Sequence, residues 1–284
     1  MGALLPPGGA ASAARHQATS AGSPVALRSP LHVAFFERVF IRFFRRHMRA
    51  LRLAGWGWPQ PLPGDTPLVV LANHPSWWDG IAVMLLSRRL FPEREVFVPM
   101  EARALARYPF MRRIGVFGVE TGSPRGAAAF LHASKEVLSG SGRILWVNAP
   151  GRFSDVRERP VPVAPGLTHL PEITPEAAFL PLALEYPFWT ERKAEMLAGF
   201  GPPIPGIELL ALDRPARAAR LSAALQIVMD RLAADAIARD PARFETLLQG
   251  REGMGGAYQA WSHLRAALRG RRFDPRHEAG RPRS

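Results

Sequence analysis

The sequence predicts an α/β fold: a mostly parallel central sheet flanked by helices, with an amphipathic helix on its N-terminal side. Three observations predict it. Short apolar runs alternate with helical patterns from Leu68 to Leu184, the signature of a sheet whose crossovers are helices. A phenylalanine-rich, arginine-edged helical pattern precedes them. The chain has 284 residues, 47% of them hydrophobic, enough to bury the core of one large domain or two small ones.

Taken in order, residues 1–30 are Ala, Gly, Pro and Ser with few large apolar side chains, and read as a disordered leader. Residues 31–58 read as an amphipathic, membrane-associating helix. Phe35, Phe36, Val39, Phe40, Phe43 and Phe44 share one face, with Arg38, Arg42, Arg45, Arg46 and Arg49 on the flanks and opposite side. Such a face suits the headgroup region of an anionic membrane. It would equally pack on the domain core, and both can hold at different ends of one helix. Trp56–Pro67, with four prolines, reads as a linker.

The α/β domain is expected over residues 65–249. Leu68–Ala72 reads as a buried strand, Gly80–Leu90 as a helix and Val96–Pro99 as a short strand. Ala102–Arg113 is helical with a break at Pro109, and Val116–Glu120 is another strand. Pro124–Leu138 follows as a helix with proline in its first turn. Ile144–Val147, Ala178–Leu184 and Met196–Phe200 complete the strands. Residues 213–249 read as one or two helices broken near Asp240-Pro241. Residues 250–284 form a basic tail with a short helix around Tyr258–Leu268.

The formal net charge of +13 implies an anionic partner, and nearly all of the positive charge is arginine, with Lys135 and Lys193 as the lysines. No apolar run reaches the ~18 residues that span a bilayer. No basic start followed by an apolar core marks a signal peptide. The absence of cysteine excludes disulfides and thiolate chemistry and permits a cytoplasmic location. Scattered histidines give no metal-ligand cluster, so no metal is expected. A nucleic-acid partner is disfavoured, because the basic residues gather beside the phenylalanine face and around the strand ends, with no recognised nucleic-acid module. No G-x-S-x-G elbow supports a serine hydrolase.

In open α/β sheets ligands gather outside the carboxyl ends of the strands, and three such ends carry unusual chemistry. The first is Asn73-His74-Pro75-Ser76-Trp77-Trp78-Asp79, where a histidine is followed five positions later by a carboxylate. Such a pair makes a general base, the carboxylate holding one ring nitrogen while the other takes a proton from a hydroxyl. The spacing alone is common by chance; its place at a strand end is what raises it. The second is Gly115-Val116-Phe117-Gly118-Val119-Glu120 leading into Gly122-Ser123-Pro124-Arg125-Gly126, where a helix N-terminus can receive an anion. The third is Asn148-Ala149-Pro150-Gly151-Arg152-Phe153, followed by Arg157 and Arg159. Gly122–Gly126 also reads as a plain turn, and Arg152–Arg159 as a solvated charged loop.

These segments resemble the glycerolipid (lysophospholipid, PlsC-type) acyltransferases over roughly residues 65–205. Asn73, His74, Ser76 and Asp79 meet their first block, N-H-x-S-x-x-D. Gly115, Phe117 and Glu120 meet the second, with Arg125 the nearest downstream arginine. Asn148–Arg152 stands where Phe-Pro-Glu-Gly-Thr-Arg is usual, without the glutamate, and Phe179-Leu180-Pro181-Leu182 resembles the fourth.

The resemblance implies that His74 deprotonates an acceptor hydroxyl, which attacks the thioester of acyl-CoA or acyl-carrier protein without an acyl-enzyme intermediate. Asp79 would fix the imidazole tautomer. No cofactor is implied beyond that donor substrate. Arg125, Arg152 and Gly151, with Glu120 and more weakly Arg157 and Arg159, would hold the acceptor's phosphate, since a guanidinium fork matches phosphate oxygens. Ser76 would cap the helix holding Asp79. Glu185 and Glu191 are further carboxylates that could meet a headgroup or merely cap loops. Trp77 and Trp78 would shield the dyad as core aromatics or line an acyl channel.

The implied protein is a peripheral enzyme on the cytoplasmic face of the cell membrane, with anionic lipids, an acyl donor and a lysolipid acceptor as partners. The missing third-block glutamate, in a loop where Pro150 offers no backbone donor, leaves two readings. Either the acceptor differs from a simple glycerol phosphate, or the chain is a catalytically silent lipid-binding relative.

Overall fold

The computed structural model describes residues 22–251. Its elements are α1 (Pro24–Leu27), α2 (Pro30–His47), β1 (Ala50–Ala54), β2 (Leu68–Ala72), α3 (Asp79–Leu90), β3 (Glu95–Glu101), α4 (Ala102–Arg107), β4 (Val116–Val119), α5 (Pro124–Leu138), β5 (Arg143–Asn148), α6 (Leu170–Ile173), β6 (Ala178–Glu185), β7 (Glu195–Phe200), β8 (Ile204–Pro205), α7 (Gly206–Leu210), α8 (Arg214–Ala238) and β9 (Phe244–Gln249). The strands form one sheet in the order β4-β3-β5-β2-β6-β7-β1-β9, with β8 paired to β6. β2 runs parallel to β5 and β6, β3 to β4 and β5, and β1 to β7; the β6–β7, β6–β8 and β1–β9 pairs are antiparallel. The predicted mostly parallel sheet flanked by helices is therefore present.

Every residue of β2 is buried, and successive side chains enter opposite cores, as the two-residue period of a strand requires. Leu68, Val70 and Ala72 join Ile144, Trp146, Leu180 and Leu182 on the face covered by α2 and α3, through Phe44, Met48, Ile81, Leu85 and Leu86. Val69 and Leu71 join Leu145, Val147 and Phe179 on the face covered by α5 and α8, through Phe130, Val137, Leu221, Leu225, Val228 and Leu232. Each such fully buried side chain contributes roughly 1.5–3 kcal/mol. Pro181 sits inside β6, where a missing N–H would normally break a ladder. Its carbonyl accepts from Gly201 N–H between the stretches of β6 paired to β8 and to β7, so proline falls where the neighbouring strand changes.

Several expectations are corrected. Residues 22–30 of the expected leader are packed: Ser23 hydrogen-bonds Glu136, and Arg28 pairs with Glu95 at 2.7 Å. The amphipathic helix ends at His47 rather than running to 58, and Ala50–Ala54 is a sheet strand, so the sheet begins before residue 65. The six apolar residues of α2 do not share one environment: Phe44 is wholly buried, while Phe35, Val39 and Phe43 are exposed. The Trp56–Pro67 stretch has no helix or strand, but Trp56 is anchored through Nε1 to Asp235 at 2.7 Å. Residues 244–249, expected to be helical, form β9. The leader before residue 22 and the tail helix around Tyr258–Leu268 lie outside the described residues.

Arg217 closes the α8 side. Its guanidinium donates to the carbonyls of Leu209, Leu210, Leu212 and Thr168 and to Glu172 at 2.6 Å, using the carbonyls left over at the end of α7. Hydrogen bonds from Arg214 and Arg217 hold the Glu172 carboxyl down to about 2. A depressed folded-state value adds stability above the ordinary ~4.5 that is lost as pH falls toward ~2. Arg217→Met is expected to cost about 3 kcal/mol in urea unfolding at neutral pH. Glu172→Gln is expected to flatten the stability loss between about pH 4.5 and 2.

Candidate active site

β2 delivers its C-terminal residues to the edge where ligands gather in α/β sheets. Asn73 ends it with a buried side-chain amide that continues the ladder: Nδ2 donates to Leu184 O at 2.9 Å and Oδ1 accepts from Leu184 N at 2.8 Å. Ala72 O accepts from Ala149 N at 2.7 Å on the other side. The chain therefore leaves the sheet in one fixed direction, and His74 follows.

The loop then turns back. Ser76 O accepts from Asp79 N at 3.1 Å, and Asp79 starts α3 with its side chain directed at the loop. Asp79 is 1% exposed, yet both its oxygens are occupied. Oδ2 meets His74 Nδ1 at 2.6 Å and accepts from Ser76 N at 3.2 Å. Oδ1 accepts from Tyr186 OH at 2.6 Å. Its place in the first turn of a 12-residue helix also favours negative charge. A carboxylate only accepts, so in the neutral imidazole this contact places the proton on Nδ1 and leaves Nε2 as the acceptor. Burial and the adjacent Asp79 push the Tyr186 hydroxyl well above its ordinary range, so it remains a donor. Phe153 stacks on the imidazole, centroids 4.2 Å apart, and Ser154 N donates to His74 O at 2.9 Å.

Tyr186 and Phe153 were not singled out by the sequence. Tyr186 lies 107 positions beyond Asp79 and is brought to it by the β2–β6 register, Ala72 beside Leu182. The available signal was its place just past an apolar strand. Ser76 does not cap α3: its hydroxyl accepts from Trp78 N within the turn, while its backbone N–H holds Asp79. Trp77 is not a core aromatic, being 65% exposed. Trp78 packs partly buried with Phe43, their centroids 5.4 Å apart.

The other candidate residues divide. β5 lies beside β2, so the Asn148–Arg152 loop adjoins His74. Gly151 turns there at φ +65°, a conformation glycine adopts freely. Arg152 donates to Glu158 at 2.5 Å, Arg157 grips both oxygens of Asp155 at 2.7 Å, and Arg159 pairs with Asp230. β4 is the edge strand, three strands from β2, about 14 Å across the sheet at ~4.8 Å per strand. Glu120 and Arg125 sit at that distant end. There Gly126 packs so tightly on the Glu120 carbonyl that a Cβ would stand 1.9 Å from it. Ser123 already caps α5 by accepting from Gly126 N, and Pro124 has no N–H to offer. Among the described residues no group of three or more His, Asp or Glu is placed to hold a metal.

Asn73→Ala strands both backbone groups of Leu184, and Tyr186→Phe leaves Asp79 Oδ1 without its donor. Each is expected to lower the unfolding free energy by about 1–3 kcal/mol, read by urea denaturation. A loss below ~0.5 kcal/mol would mean that these bonds do not hold the loop.

Residues 58–184 match the family model described as Acyltransferase. No curated protein matches the chain. The matched segment runs from just before β2 to the end of β6 and contains the His74–Asp79 pair and the Asn148–Arg152 loop. Over this segment the chain is similar to the acyltransferase family, that of the PlsC-like glycerolipid acyltransferases.

Proposed function

We propose that this protein is a peripheral membrane O-acyltransferase. It moves a fatty acyl group from acyl-CoA or acyl-carrier protein to the hydroxyl of a lysophospholipid or related lipid, with His74 as general base. The observation that carries the reading is the 2.6 Å contact between His74 Nδ1 and a buried Asp79 inside an acyltransferase-family segment. Nε2 takes the proton as the hydroxyl oxygen attacks the thioester carbonyl carbon. The tetrahedral intermediate then collapses, the C–S bond breaks, and the thiolate receives that proton from the imidazolium. Asp79 stabilises the imidazolium, and Tyr186 and Ser76 N hold Asp79 in place.

The exposed side of α2 supports membrane contact. Leu31, Phe35, Val39 and Phe43 recur every four residues and are all exposed, Phe35 by 58%. Trp77 adjoins Phe43 at 6.1 Å between centroids, and Phe110 stacks on Phe36 at 4.5 Å. Arg38, Arg42, Arg45 and Arg46 are exposed on the same helix. An apolar stripe edged by arginine suits the headgroup layer of an anionic bilayer, each arginine adding about 1 kcal/mol near the surface. Among the described residues no helix is long and apolar enough to cross a membrane. The stripe also runs toward Trp77, three residues past His74, so an amphipathic acceptor could meet the base without leaving the interface.

The alternative, a silent lipid-binding relative, is favoured by one observation: the Asn148–Arg152 loop carries no carboxylate. A labelled acyl-CoA assay against a lysolipid panel separates the two. His74→Ala is expected to lower acyl transfer by about 10³-fold or more with unchanged vesicle binding, and Tyr186→Phe by about tenfold. Transfer retained in His74→Ala would end the mechanism. In a sedimentation assay with phosphatidylglycerol-containing vesicles, Phe35→Ser with Phe43→Ser is expected to weaken binding at least ~10-fold. Undiminished binding would remove α2 from the interface.

A further inference from the structure

Glu185 at the end of β6 and Tyr186 just past it point to opposite faces of the sheet. Tyr186 turns to Asp79 on the α3 side. Glu185 turns to the α8 side, where it lines an open groove of about 540 Å³ with Val156, Arg157, Arg159 and Asp230. One short stretch of chain joins the groove to the base: Phe153 stacks on His74, and Val156 lines the groove three residues later. Three residues span at most about 11 Å. A headgroup a few bonds removed from the reacting hydroxyl can therefore bridge the two.

The charges of this groove are unequally satisfied. Asp155 occupies the Arg157 fork. Arg159 gives Nε and Nη2 to Asp230 and Nη1 to the carbonyls of Val156 and Glu158. Arg152, just before them, is held by Glu158. Glu185 is the groove's charged side chain with no hydrogen bond or ion pair to a described residue. Burial pushes its carboxyl above the usual range, and the attraction of Arg159 offsets this only in part. A phosphate monoester would meet guanidinium groups already neutralised and an unpaired carboxylate of its own sign. An ammonium would supply the N–H donors and positive charge that this carboxylate lacks.

We infer that Glu185 selects the acceptor by binding the primary ammonium of a zwitterionic headgroup in this groove. As a substrate contact this rests on the acyl transfer proposed for His74. The fit also bears on the third block: a loop without its usual carboxylate lies beside a groove whose acid comes from β6.

The test compares two short-chain acceptors below their micelle concentrations, lysophosphatidylethanolamine and its N-acetylated derivative, which keeps the phosphodiester but loses the cation. Both kcat/KM and equilibrium binding by calorimetry are read for the full chain. The wild type is expected to favour the ammonium acceptor about tenfold or more in each, since a site built for a donor rejects the analogue lacking it. Glu185→Gln, an isosteric change, is expected to lower that ratio to near one. Equal use and equal binding of the two acceptors by the wild type, or a preference undiminished in Glu185→Gln, would overturn the ammonium site. An ammonium preference in binding that needs Glu185, in a protein that transfers no acyl group, would leave this site standing and defeat the proposed function. Transfer without the preference would do the reverse.

Discussion

The site depends on one constraint: the parallel alignment of β2 with its two neighbours, locked at its end by the Asn73 amide on both backbone groups of Leu184. Since Ala72 lies beside Leu182 in β6 and Asn148 in β5, β2 and β5 finish level while β6 runs on to Glu185. The residues that follow them, His74, Tyr186 and Phe153, then become neighbours although they come from three distant parts of the chain. A one-residue slip of β2 would send the imidazole to the opposite face of the sheet. Asn73 is the kind of buried polar group that is costly unless fully paired, and full pairing ties it to a single register.

Much of this was legible in the sequence for physical reasons. Leu68–Ala72 announces a doubly buried strand because no polar residue interrupts it. Pro124 announces a helix start because a first-turn N–H needs no partner, and the Ser123 cap is added by the fold. His74 and Asp79 were legible because a single turn joins them. Tyr186 was not, because its partner is supplied by strand register and not by local spacing. β1 and β9 were missed for a related reason. Ala-Leu-Arg-Leu-Ala and Phe-Glu-Thr-Leu-Leu-Gln are rich in helix formers, and pairing to each other and to β7 overrides that local preference. The arginines of the third block were read as phosphate ligands from residue type alone. Arg152 and Arg157 are held by the nearby Glu158 and Asp155, and the Asp230 partner of Arg159 could be assigned only from the fold.

The charge of the molecule is consequently divided by function. The surplus that looks like a single anion-binding property is partly consumed inside the fold: Arg217 holds carbonyls at a helix end, Arg52 pairs with buried Glu195 at 3.0 Å, and Arg159 fixes the loop over the strand ends. The arginines of α2 are arranged differently, along a helix whose inner side is anchored by Phe44 and whose outer side carries exposed phenylalanines.

The path of β1 has a consequence for where this molecule can be cut. The family match spans 58–184, but β1 enters the sheet from before it, and β7, β9 and α8 from after it. A fragment trimmed to those bounds would lose the strand between β7 and β9. It would also uncover the apolar face of β6 that Leu225, Val228 and Leu232 now cover. The family-matched segment and the stretch that builds the sheet are thus different lengths of chain. The N-terminal helix with its strand is part of the scaffold and not a detachable anchor.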